Sequence, residues 1–150
     1  MTGTHAEKEL YEGALEIAII AHYDQRDKLG EPYIDHPIRV SMSLDTYISK
    51  SLGLLHDVDE DDSLYNYDMS DYPDIYLEIL DLLRHHKRMP YKEYIMKLST
   101  SALATKVKIA DLMDNTDSKR LDALYKIDPK TALRVAKKYV WALKFLTQGK

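Results

Sequence analysis

The sequence predicts an all-α fold, and three observations carry that expectation. Apolar residues recur three and four positions apart through most of the 150 residues. No alternation of apolar and polar residues runs longer than four positions, so no half-buried strand is expected. The five prolines fall between the periodic stretches or at their first positions. A chain of this length should bury roughly 68–70% of its unfolded surface, which suits one compact domain over residues 1–150, a helical bundle built around a central buried helix.

The first helix is expected from about Ala6 to His22, with Leu10, Ala14, Ile17, Ala18 and Ala21 inward and Glu7, Lys8, Glu12 and Glu16 outward. Gly30 and Pro32 make the stretch from Tyr23 to His36 a structured loop. Pro37 suits a first helical position, which makes His36 the N-cap of a short helix through Ile38, Val40, Met42 and Leu44. A third helix is expected from Tyr47 to Val58. Residues 59–74 are acidic, tyrosine-rich and aperiodic, and read as the longest loop. Helical spacing returns from Asp74 to His86, and Pro90 separates that helix from a shorter one around Tyr94, Ile95 and Leu98. Ser99 or Ser101 caps the next, whose Leu103, Val107, Ile109, Ala110, Leu112 and Met113 are apolar on most sides and predict the central position. The last helix starts at Asp128-Pro129 and is expected to bury Leu133, Ala136, Val140 and Leu143.

Composition excludes several classes. With no cysteine there is no disulfide or thiolate metal site, so any metal must use histidine and carboxylate. No apolar run spans a bilayer and no signal peptide opens the chain, so a cytoplasmic protein without a membrane partner is expected. Residues 1–99 carry 10 Lys and Arg against 20 Asp and Glu, whereas residues 100–150 carry 11 against 5. The basic half is spread around helices and gives no nucleic-acid stripe. It reads either as solvated helix faces or as the basic wall of a site for a phosphate-rich small ligand.

Four features could carry chemistry. His56-Asp57 ends a helix behind two buried leucines. Alone it reads first as a histidine favouring the helix dipole beside a solvated aspartate, and second as a pair converging on one ion. Five of the seven residues from His56 to Asp62 are acidic, which suits a solvated loop or a general base beside a metal. Asp111 lies in the most apolar helix, with Asn115 one turn on, and needs either a metal or a cation such as Lys108 as partner. The loop from Gln25 to Pro37 offers Arg26, Lys28, Tyr33 and His36, which suit phosphate contacts and base stacking. His22, His85 and His86 read as caps or packing residues.

The order of these features is informative. Tyr-Ile-x-His-Pro at 33–37, Leu-Leu-His-Asp-Val-x-Glu-Asp at 54–61 and Val-Lys-Ile-Ala-Asp-Leu-x-x-Asn at 107–115 resemble the HD-domain superfamily. More closely, they are similar to the hydrolase domain of Rel/SpoT alarmone enzymes and their stand-alone small relatives, over roughly residues 6–146. The resemblance implies a helical fold with one divalent ion, usually manganese, between helices. It implies His36, His56, Asp57 and Asp111 as ligands, and Glu60 and Asp61 as the acidic pair that orients or activates water. Arg26, Lys28, Tyr33 and Asn115 would meet the substrate. The implied reaction releases the 3′-pyrophosphate of guanosine tetra- or pentaphosphate. Asp27 and Asp117 stand where that family tends to place cations, and so predict a weaker hold on a highly charged nucleotide.

Overall fold

The computed structural model describes residues 2–60 and 63–148, the side chains of Glu60 and Ser63 excepted. Among these residues the chain forms eight α-helices and no strand: α1 His5–Ala21, α2 Asp35–Met42, α3 Tyr47–Glu60, α4 Asp74–Leu83, α5 Tyr91–Leu98, α6 Ala102–Asn115, α7 Ser118–Ile127 and α8 Pro129–Gln148. None of them is long and apolar enough to cross a membrane. Extended pairing is confined to two isolated bridges, of which Arg26 with Pro32 closes the loop after α1.

Local chemistry sets the helix ends. Thr4 and Glu7 form a reciprocal capping box at α1, each side chain accepting from the other's backbone N–H at 3.1 and 2.8 Å. Ser101 caps α6 by accepting from Ala104 N. The second helix begins at Asp35 rather than at Pro37, so His36 lies inside its first turn and is not the N-cap. The reason is that the first four N–H groups of a helix have no internal acceptor, so a proline at the third position costs no bond.

α3 occupies the centre, packed against α1, α2, α4 and α6. Residues 49–56 are all buried. The expectation of a central α6 is therefore corrected, since Met113 on α6 is 62% exposed. Burial of the α3 start brings in Lys50, whose Nζ donates to the Ser41 carbonyl at the end of α2 at 2.9 Å. This pairing meets a helix C-terminus with a cation.

Four further differences from the expected elements appear. α4 ends at Leu83, three residues before His86, and a 3-10 turn, Ser63–Asn66, interrupts the acidic loop. α7 is a helix that hydrophobic spacing did not reveal. On α8, Leu133 and Val140 are exposed while Ala132, Ala142 and Leu146 are buried. Alanines thus take two of the three buried positions of α8, which packs against α6 and α7.

Candidate metal centre and its cavities

The first turn of α2, the last turns of α3 and the last turns of α6 meet around one point. Gly53 permits the approach, because a Cβ there would stand 3.2 Å from side-chain carbons of both Leu44 and Val40. Close contact of α2 with α3 one turn before His56 brings the two imidazoles together. His36 Nε2 lies 2.9 Å and His56 Nε2 3.3 Å from Asp111 Oδ1. Asp57 faces both rings, with Oδ1 3.2 Å from His56 Nε2 and Oδ2 3.5 Å from His36 Nε2. Donor atoms of His36, His56 and Asp111 lie within 4.8 Å of one another, so the three residues could hold one metal ion.

The far sides of the rings are fixed. His56 Nδ1 lies 2.6 Å from the Gly53 carbonyl. A carbonyl only accepts, so Nδ1 carries the hydrogen and Nε2 is left for the cluster. His36 Nδ1 lies 2.6 Å from Asp114 Oδ2. Arg39 in turn grips Asp114 in a two-point contact, Nε to Oδ1 at 2.7 Å and Nη2 to Oδ2 at 3.1 Å. A carboxylate behind a ligating histidine fixes its tautomer and raises its basicity, and losing it typically weakens metal binding about 10–100-fold. Asp114→Ala should show a loss of that size in Mn²⁺ titration calorimetry. An unchanged affinity would detach Asp114 from the centre.

The electrostatics favour a cation at this point. Burial pushes His36 down, but hydrogen bonds to Asp111 and Asp114 and the charge of Asp57 outweigh it and raise its pKa to about 10. His56 is likewise raised against burial by Asp57 and Asp111. Burial pushes Asp111 up, yet Lys108, His56 and His36 hold it well below the usual carboxylate range. Two imidazoles drawn toward their charged forms by facing carboxylates mark a pocket of negative potential, and mixed nitrogen and oxygen donors suit a transition dication.

With chelator present, the stability that His36 contributes is full below its ordinary pKa of 6.5 and is lost as pH rises through about 10. Urea midpoints of chelated protein should fall across that window. His36→Gln should flatten the fall, and the same fall in that variant would assign it to another group.

Asp111 Oδ2 accepts from Lys108 Nζ at 2.8 Å, and Oδ1 accepts from Asn115 Nδ2 at 3.2 Å. A lysine partner and an imidazole cluster are therefore not alternatives, because the two carboxylate oxygens divide between them. A cavity of about 240 Å³ opens on the cluster, with Lys108, Lys138 and Tyr91 on other parts of its wall. The Lys138 ammonium lies 4.3 Å from the Tyr91 ring centroid. Burial, then the charges of Lys108, Arg134 and Lys28, lowers its pKa.

A second cavity of about 290 Å³ adjoins the first, the two sharing Tyr33, His36, Asn115 and Tyr139. All four residues expected to meet a substrate, Arg26, Lys28, Tyr33 and Asn115, line it. Tyr33 also donates its hydroxyl to Asp57 Oδ2 at 2.8 Å. Asp61 lies outside the described residues, as does the side chain of Glu60.

Asp27 and Asp117 both have partners within the chain. Asp27 Oδ1 accepts from Leu29 N and Glu31 N, each at 2.9 Å, and its Oδ2 accepts from Arg120 at 2.9 Å. Asp117 caps α7 by accepting from Arg120 N at 3.2 Å. The charge of Asp27 is thus matched by Arg120, which itself lines the second cavity. Sequence reasoning missed Arg39, Asp114, Arg120 and Lys138. The available signal was spacing, since Arg39 and Asp114 each follow a cluster residue by three positions on the same helix.

No family model matches the chain. A stretch of 52 residues is 52% identical to a guanosine-3′,5′-bis(diphosphate) 3′-pyrophosphohydrolase of Borreliella burgdorferi, covering 32% of this chain and 8% of that protein. A segment of this chain is thus related to a named hydrolase, and separately the chain's His36, His56 and Asp111 could hold a metal ion.

Proposed function

We propose that this chain is a metal-dependent HD-type phosphohydrolase that releases pyrophosphate from an alarmone-like guanosine nucleotide. The observation that carries the reading is the convergence of His36, His56, Asp57 and Asp111 on a cavity that Lys108 and Lys138 also line. Similarity to the Borreliella pyrophosphohydrolase supports it.

The two histidines and two aspartates would hold the ion, for which manganese is proposed. Such an ion, when bound, polarises a phosphoryl oxygen and acidifies water. The remaining roles belong to the chain. Tyr33 and Asn115 orient Asp57 and Asp111 through hydrogen bonds. Lys138 meets the negative charge that builds on phosphoryl oxygens during attack. Asp61, beside Glu60, takes the proton of the attacking water. Arg26 and Lys28 contact the remaining phosphates, and Tyr33 offers a ring for the base.

Incubation with Mn²⁺ and a nucleotide panel, with phosphorus NMR of the products, tests this. Pyrophosphate from guanosine 3′,5′-bis(diphosphate), abolished by chelator, is the expected result. Single phosphate instead would make the protein a nucleotide phosphatase, and tight nucleotide binding without turnover would make it a binding domain.

A further inference from the structure

A separate cleft of about 740 Å³ lies between α1 and the segment from Asp68 to Tyr76, and it shares no residue with the two cavities at the metal cluster. Leu10, Ile17, Ile48 and Ile75 give it an apolar surface. Glu7, Glu9, Glu16, Asp68 and Asp71 also line it, and among the described residues no lysine or arginine does. Among the described residues, the ion pair these carboxylates make is Glu9 with His5, at 3.1 Å.

A second observation points to an occupant. Tyr76 is 2% exposed and lines this cleft, yet among the described residues its hydroxyl has no hydrogen-bond partner. Its neighbour Tyr72, edge-on at 5.4 Å, donates to the Leu10 carbonyl at 2.7 Å. The orphaned hydroxyl is thus a property of Tyr76 and not of the pair. Buried hydroxyls are nearly always paired, and one beside a cleft can be satisfied by a ligand that fills it.

The chemistry of the walls selects that ligand. Five carboxylates, with no lysine or arginine beside them among the described residues, attract cations. Among the described residues, the group close enough to hold one metal ion is His36, His56 and Asp111, so the carboxylates of the cleft do not converge on a point. Their charges are instead spread around an apolar surface, which matches a cation that is itself extended and partly apolar.

We propose that this cleft binds a linear polyamine. Its methylenes lie against Leu10, Ile17, Ile48 and Ile75, its ammonium groups meet the carboxylates, and one N–H is donated to the Tyr76 hydroxyl oxygen. This site is independent of the phosphohydrolase reading, and its test needs no turnover.

Titration calorimetry of the full chain with spermidine at low ionic strength, with Mg²⁺ at matched ionic strength as the control, tests the proposal. One saturable site is expected that Mg²⁺ does not fill. Tyr76→Phe removes an unpaired buried hydroxyl, so it should melt no lower than the parent protein and bind spermidine several-fold more weakly. Glu16→Gln with Asp71→Asn should weaken binding by roughly tenfold, the worth of two partly screened charge contacts. Glu7 and Asp68 are spared in that variant because they hold the backbone at Thr4 and Ser70. Absence of saturation, equal affinity in the variants, or equal competition by Mg²⁺ would overturn the proposal. A lysine-bearing peptide that binds more tightly than spermidine, and loses affinity in Tyr76→Phe, would overturn it in favour of a protein side chain.

Discussion

Asp111→Ala should abolish metal binding and lower the melting temperature more than any other single substitution in the cluster. Asp111 meets His36, His56, Lys108 and Asn115 at once. Its removal strands the Lys108 ammonium, whose side chain is 12% exposed. Breaking a buried pair by deleting one partner costs about 3–5 kcal/mol, because the surviving charge stays desolvated. The double variant Asp111→Ala with Lys108→Met separates the two effects. It should recover much of the stability, since no unpaired charge remains, and recover none of the metal. Metal content is read by elemental analysis and stability by urea midpoints. Full metal occupancy in Asp111→Ala would remove Asp111 from the ligand set.

Asp61→Asn should cut turnover by roughly 10²–10⁴-fold, the usual worth of a positioned acid–base group, while bound metal stays at the parent level. The substitution keeps size and hydrogen-bonding shape but removes the basic oxygen. Loss of the ion in this variant would make Asp61 a ligand. A drop of less than tenfold would move the base to Glu60, with Glu60→Gln as the next measurement.

Much of the helical frame was legible because its punctuation is written in residue types. Pro73 and Pro90 immediately precede α4 and α5, and Pro129 opens α8. What misled was size. Leu133 and Val140 look like the natural inward residues of α8, but the positions buried are Ala132, Ala142 and Leu146, and Leu133 is left outside. α7 escaped notice because its sequence is short and charged, and Asp117 was read by its charge instead of by its capping geometry. At the site, motif order was enough to group His36, His56, Asp57 and Asp111. Asp114 and Arg39 were not legible in the same way, because they act on His36 through other side chains and carry no motif of their own. Asp27 shows the converse: its charge was legible, but its pairing with Arg120 from a distant helix was not.

The donors that meet at the cluster are far apart in sequence, His36 and Asp111 being separated by 75 positions. During synthesis His36, His56 and Asp57 leave the ribosome well before Asp111, by about 3–15 s at ~5–20 residues per second. For that interval the emerging chain presents only part of the donor set, and α6, which supplies the carboxylate oxygen shared by both imidazoles, is still missing. Metal capture should therefore come after helix assembly instead of nucleating it. Chain stalled before Asp111 should take up little Mn²⁺, and the metal supply of the compartment should set how much active protein forms, not how much protein folds.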